Sequence, residues 1–133
     1  MEVSDVLSAS DVFVLSSDYE GNPLSVMEAM ASGLPIVSTA AGGVPDLFTN
    51  GKEGFLLDVG DAEGIAGSMA YLLANPRKRQ AMGNAAASRA KENFDVTKMV
   101  REYEQLYEEM IDTSQNIKVR SAIQHQEISL QKD

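Results

Sequence analysis

Two short runs of mostly apolar, partly β-branched residues, Asp11–Ser16 and Pro35–Thr39, bracket a helical stretch that opens at Asn22-Pro23 and closes at Ser32-Gly33. Asp11-Val12-Phe13-Val14-Leu15-Ser16 is too short for a helix and predicts a buried strand. Pro23 suits a first helical turn with Asn22 as N-cap. Leu24, Met27, Met30, Ala31 and Leu34 then recur at three- and four-residue spacing as one apolar face. Strand, loop, helix, strand is a βαβ unit. Its strands read as buried on both faces, the pattern of a parallel sheet covered by helices.

The rest of the chain extends that unit. Ala40-Ala41-Gly42-Gly43-Val44-Pro45 predicts a tight glycine turn leading to a short helix near Pro45–Phe48. Asn50-Gly51 marks a turn and Gly54–Asp58 a third strand. Asp61 is placed to cap a helix carrying Ile65, Met69, Leu72 and Leu73. Asn75-Pro76 ends it and starts another, with Met82, Ala86 and Ala90 on the packed face. A last helix, capped by Asp95, carries Val96, Met99, Val100, Tyr103, Leu106, Tyr107, Met110 and Ile111 at helical spacing. Beyond Asp112 the apolar pattern thins, so residues 1–112 are read as the folded part and 113–133 as a polar tail, flexible or docked elsewhere. There is no internal repeat. The order β-α-β-β-α-α-α has too few strands to cover its own sheet, so it reads as the second half of a doubly wound domain with a segment missing upstream.

Ligands on such units bind where strand ends meet helix N-termini. Here Glu20 and Glu28 stand eight positions apart across the loop and the helix start. Carboxylates accept paired hydrogen bonds from vicinal diols, and a helix N-terminus favours anionic phosphate. Charge qualifies the picture. The net charge is −9, and residues 1–51 carry seven acids and no Lys or Arg. Nucleic acid is therefore not an expected partner, since it needs a basic surface. No side chain in this half can neutralise a phosphate either. With no cysteine, disulfides, thiolate metal sites and a cysteine nucleophile are excluded. The acidic N-terminus lacks the basic region of a signal peptide, and no run approaches the ~20 apolar residues of a membrane span. The expectation is a soluble, cytoplasmic chain.

An ordered series of pieces resembles one family. Ser10–Ser16, Glu20-Gly21, Glu28-Ala29-Met30-Ala31-Ser32-Gly33-Leu34-Pro35-Ile36-Val37, Gly42-Gly43-Val44-Pro45-Asp46, Asn50-Gly51, Gly54–Leu57, Gly60-Asp61, Met82-Gly83 and Phe94 are similar to the donor-binding, C-terminal domain of retaining GT-B glycosyltransferases, the "glycosyl transferases group 1" family. Resemblance covers roughly residues 4 to 111. It implies an α/β fold: a partial Rossmann-like parallel sheet, the second half of the donor domain, followed by C-terminal helices. It implies transfer of a hexose from a nucleotide-diphosphate sugar to a glycan, lipid or other acceptor, with no cofactor and no required metal. By position, Glu20 matches the glutamate that contacts the donor sugar near the reacting centre, and Glu28 the one that holds the ribose. Gly21, Asn22, Leu24 and Ser25 fall in the segment whose backbone meets sugar and diphosphate.

The chain departs from the family at Asn22-Pro23, where an aromatic residue and a glycine are usual, and at Asp46, where glutamate is usual. Pro23 offers no N–H. The family's phosphate-gripping arginine and lysine, and its acceptor domain, would lie upstream. The expected partners are thus a nucleotide sugar, the missing acceptor domain and the first half of the donor domain. Peripheral membrane association of the parent and self-association of the fragment are further expectations, and the isolated chain is expected to be inactive. A non-catalytic nucleotide-sugar-binding module and an inert fragment remain the alternatives. A glycosidase-like carboxylate pair fits poorly because Glu28 falls inside the helix rather than across a cleft. Gly42-Gly43 reads as a steric turn with a ligand-facing backbone and lacks a Walker lysine. Arg77-Lys78-Arg79 reads as a solvated face, the Tyr103 and Tyr107 pair as packing, and His125 as neither base nor ligand.

Overall fold

The computed structural model describes the backbone of residues 2–130 and the side chains of residues 2–114. The side chain of His125 and residues 131–133 lie outside the described residues. The chain divides into two units, Met1–Asp95 and Val96–Asp133.

In the first unit the order is α1 (Val3–Ser8), β1 (Phe13–Leu15), α2 (Leu24–Ala31), β2 (Ile36–Thr39), α3 (Val44–Leu47), β3 (Gly54–Leu57), α4 (Ala62–Ala74) and α5 (Pro76–Asn93). The three strands are parallel in the order β1-β2-β3, with Phe13 opposite Ile36 and Ile36 opposite Gly54. Successive strand side chains point to opposite faces, and both faces are covered. Phe13, Leu15, Ile36 and Leu56 join Val26, Ala29 and Met30 of α2, Val44, Leu47, Phe48, and Ala86 and Ala90 of α5. Val12, Val14, Val37, Phe55 and Leu57 join Ile65, Met69 and Leu72 of α4 and Met82 of α5. All four β2 residues are buried, as befits the central strand. The expected α/β architecture with a parallel sheet and C-terminal helices is present.

Several local expectations need correction. Asn22 is not the N-cap: Pro23 takes that position, extended at φ −71° and ψ 107°, with no side-chain cap, and its carbonyl accepts from the Val26 amide at 3.2 Å. Pro23 is itself buried, so core packing draws the helix start one residue later. The buried face of α2 is Val26, Ala29 and Met30, while Leu24 and Ala31 are exposed. Arg79 is not a solvated residue: it pairs with Asp11 at 3.1 Å and also donates to the Leu72 carbonyl. Helix α1 carries no buried residue, which is why no core periodicity announced it. Asp61 caps α4 as expected, its carboxylate accepting from the Gly64 amide at 2.8 Å. Gly33, just past α2, takes the left-handed conformation at φ +78° that stops a helix.

The described residues of the second unit form one helix, α6 (Val96–Leu130), so the helical backbone continues past Asp112, where the apolar pattern thins. Its large apolar residues from Val96 to Ile111 are exposed, and Tyr103 and Tyr107 stack on each other with ring centroids 6.4 Å apart.

Candidate functional site

Parallel strands bring their C-terminal ends to one edge, so the loops after β1 and β2 emerge side by side. The first, residues 16–23, holds Glu20. The second, residues 40–43, holds the glycine pair. Their backbones touch: the Gly43 amide donates to the Gly21 carbonyl at 3.1 Å. A β-carbon at Gly42, where φ is +53°, would fall on the Glu20 carbonyl oxygen, and one at Gly43 would meet the Gly21 carbonyl oxygen. Glycine is required here for close approach of two chain segments. The amide of Gly43 is committed to Gly21, and the steric turn read from the sequence is what the pair forms.

Glu20 is half-buried, and its carboxylate is held: Ser17 Oγ donates to Oε1 at 2.6 Å. Ser17 is held in turn, since Thr39 Oγ1, at the end of β2, donates to the Ser17 carbonyl at 2.6 Å. Thr39 is 1% exposed. Sequence reading passed over both residues. A serine three positions before an acid is a local signal for such a bond, whereas a contact spanning 22 residues leaves none.

Gly21, Asn22, Leu24 and Ser25 are all exposed. The first amides of a helix have no intrahelical partner. With Pro23 at the cap and no capping side chain, those of Leu24 and Ser25 face no competing acceptor from the cap residue. Glu28 is exposed one turn beyond Leu24, and residues four apart share a helix face. Of the six predicted residues, Glu20 is half-buried and the other five are exposed, spread along the β1 loop and the first turns of α2. A separate groove of 580 Å³ between β3, α4 and α5, lined by Phe55, Tyr71, Met82 and others, includes none of them. Among the described residues no three His, Asp or Glu side chains gather as a metal site needs.

This arrangement offers two carboxylates for hydroxyl groups and a helix N-terminus for an anion between them. Comparison with known proteins agrees in kind. Residues 1–89 match the family model for glycosyl transferases group 1. N-acetyl-alpha-D-glucosaminyl L-malate synthase of Bacillus anthracis is 34% identical over 117 residues, covering 88% of this chain and 31% of the relative. Trehalose synthase of Thermococcus litoralis is 43% identical over 103 residues, covering 77% of this chain and 24% of the relative. The chain therefore spans about a third or less of the length of these curated relatives. Among solved structures, sucrose-phosphate synthase of Thermosynechococcus elongatus aligns with TM-score 0.77 and 29% identity over 81% of this chain and 27% of that one. Anabaena Alr3699/HepE, solved with UDP-glucose, aligns with TM-score 0.74 and 25% identity over 78% of this chain and 29% of that one. The sheet, its paired loops and the matched residues together place the chain in the glycosyl transferases group 1 family, with GT-B glycosyltransferases as its structural neighbours.

Proposed function

We propose that this chain is the nucleotide-sugar-binding part of a retaining glycosyltransferase that transfers a hexose to a glycan, lipid or other acceptor without a required metal. The observation that carries the reading is the juxtaposition of a held Glu20 carboxylate, a helix start without a side-chain cap, and Glu28 one turn farther on. The structural neighbour solved with UDP-glucose supports a nucleotide-sugar donor.

In this reading Glu28 accepts from the ribose hydroxyls, and the amides of Gly21, Leu24 and Ser25 meet the diphosphate. Glu20 accepts from the donor sugar and, as an anion, favours the positive charge that grows at the reacting carbon. A helix N-terminus supplies only about half a positive charge, against roughly two negative charges on a nucleotide diphosphate. Residues 1–51 add no cation. The remaining neutralisation and the acceptor pocket belong to the rest of a longer enzyme, and the 133 residues alone transfer no sugar. No helix among the described residues is long and apolar enough to cross a membrane. The parent acts in the cytoplasm, with peripheral membrane contact where its acceptor is a lipid.

Two substitutions in the intact gene product test the assignment. Glu28→Ala should weaken the nucleoside diphosphate of the donor and the donor sugar nucleotide alike, because a hydrogen bond to a charged group is worth ~1.5–3 kcal/mol, roughly one to two decades in affinity. Unchanged affinity for that nucleotide would refute the ribose role. Glu20→Gln keeps the shape but removes the charge, so turnover should fall by a larger factor than nucleotide affinity. Equal losses would leave Glu20 a binding residue only. A wild-type protein that binds a nucleotide sugar tightly and turns none over would instead be a binding module.

A further inference from the structure

We propose that Ser17 is a positioning residue for Glu20, fixing its carboxylate for the sugar while taking no part in binding the nucleotide. The proposal rests on the donor-site reading above and deepens it.

The β1–β2 ladder ends at Leu15 opposite Ser38. Beyond it the backbone of residues 16–23 is a loop, and a glutamate on a loop is free to change rotamer unless something holds it. Two ties fix the loop to the segment after β2. Thr39 Oγ1 donates to the Ser17 carbonyl at 2.6 Å, continuing the ladder through a side chain. The Gly43 amide donates to the Gly21 carbonyl at 3.1 Å. Between these anchors Ser17 Oγ donates to Glu20 Oε1 at 2.6 Å. The hydroxyl thereby links the carboxylate to the buried end of β2. It also uses only part of the carboxylate's accepting capacity, leaving the other oxygen and a remaining lone pair for ligand hydroxyls. The Ser17 hydroxyl itself touches neither Glu28 nor the start of α2, and Gly21 keeps its own tie to Gly43, so the nucleotide half of the site should not sense the loss of that hydroxyl.

The test uses the intact gene product with a panel of UDP-, GDP- and ADP-sugars, the donor being the one that wild type turns over. Ser17→Ala should lower turnover by about tenfold to a hundredfold, the scale of misplacing a reacting group by an ångström. Affinity for the matching free nucleoside diphosphate should stay unchanged. Ser17→Thr, which keeps the hydroxyl, should recover most of the activity. In a Glu20→Ala background Ser17→Ala should add almost nothing, because its effect runs through that carboxylate. Parallel loss of nucleotide affinity and turnover in Ser17→Ala would overturn the proposal, as would unchanged turnover. A full Ser17→Ala effect persisting without Glu20 would overturn it too. Failure of wild type to bind any of the nucleotides would bring down the donor-site reading itself, a result distinguishable from all of these.

Discussion

Gly42 combines two constraints that glycine alone satisfies. Its φ of +53° disfavours any L side chain, and the space where a β-carbon would sit is taken by the Glu20 carbonyl. Gly51 is the natural comparison, because its φ is +82° but nothing lies within 4 Å of the added atom. Gly51→Ala should therefore cost only the conformational strain, about 1 kcal/mol. Gly42→Ala must also push the Glu20 loop away, so it should cost roughly 2–4 kcal/mol and reduce turnover as well. Urea denaturation of the two variants checks the difference. Equal losses would mean that the close approach contributes nothing. At this scale Glu20 and Glu28 were legible as candidates, because both acids follow strand and helix signals in the chain itself. The Ser17 hydroxyl, three positions before Glu20, carried a local signal, but the tie from Thr39 to the Ser17 carbonyl did not, because it joins residues 22 positions apart.

The segment from α3 to β3 is held by polar contacts in addition to the core packing of Val44, Leu47 and Phe48. Arg89 of α5 donates to the carbonyls of Leu47 and Asp46 and to Thr49 Oγ1. Glu53, fully buried at the entry to β3, accepts from the Thr49 amide at 2.8 Å through Oε2. Its Oε1 lies 3.4 Å from the Lys52 ammonium without a hydrogen bond of good geometry. A buried carboxylate so partly satisfied costs free energy, and its removal would take away the acceptor of the Thr49 amide. Glu53→Ala should therefore destabilise the fold by about 1–3 kcal/mol. Glu53→Gln keeps an acceptor for Thr49 and sheds the charge, so it should lose much less or gain. Chemical denaturation decides, and a glutamine variant as damaged as the alanine one would show that the charge itself is needed. The packed face of α5 was readable from Met82, Ala86 and Ala90. The role of Arg89 was not, since its partners lie 40 or more positions away.

For the molecule as a whole, two exposed features oppose its solubility. Strand β1 lies at one end of the strand order among the described residues, and a strand edge offers unpaired amides and carbonyls to another chain. On α6, the eight large apolar residues from Val96 to Ile111 are each at least 45% exposed. Residues 1–133 should accordingly self-associate as concentration rises, and added salt should strengthen the association by screening the net charge of −9. Sedimentation velocity across a concentration series checks this. A single monomeric species at every concentration and salt level would refute it.

The parallel sheet and the helices after β1 were written into the chain, α1 excepted, because buried strands and helical periodicity are local patterns set by side-chain alternation and spacing. So was the neighbourhood of the candidate site, since a βαβ unit delivers its loop and helix start to one edge. Tertiary structure decided what local pattern cannot express. Burial of Pro23 moved the cap of α2 away from Asn22, and packing chose Val26, Ala29 and Met30 as its inner face. Contact between the two loops committed the Gly43 amide to Gly21 and tied Glu20 through Ser17 to Thr39. The physical reason is the same in each case. Propensity and periodicity act within a few residues, whereas hydrogen bonds and excluded volume act between whichever segments the sheet brings together.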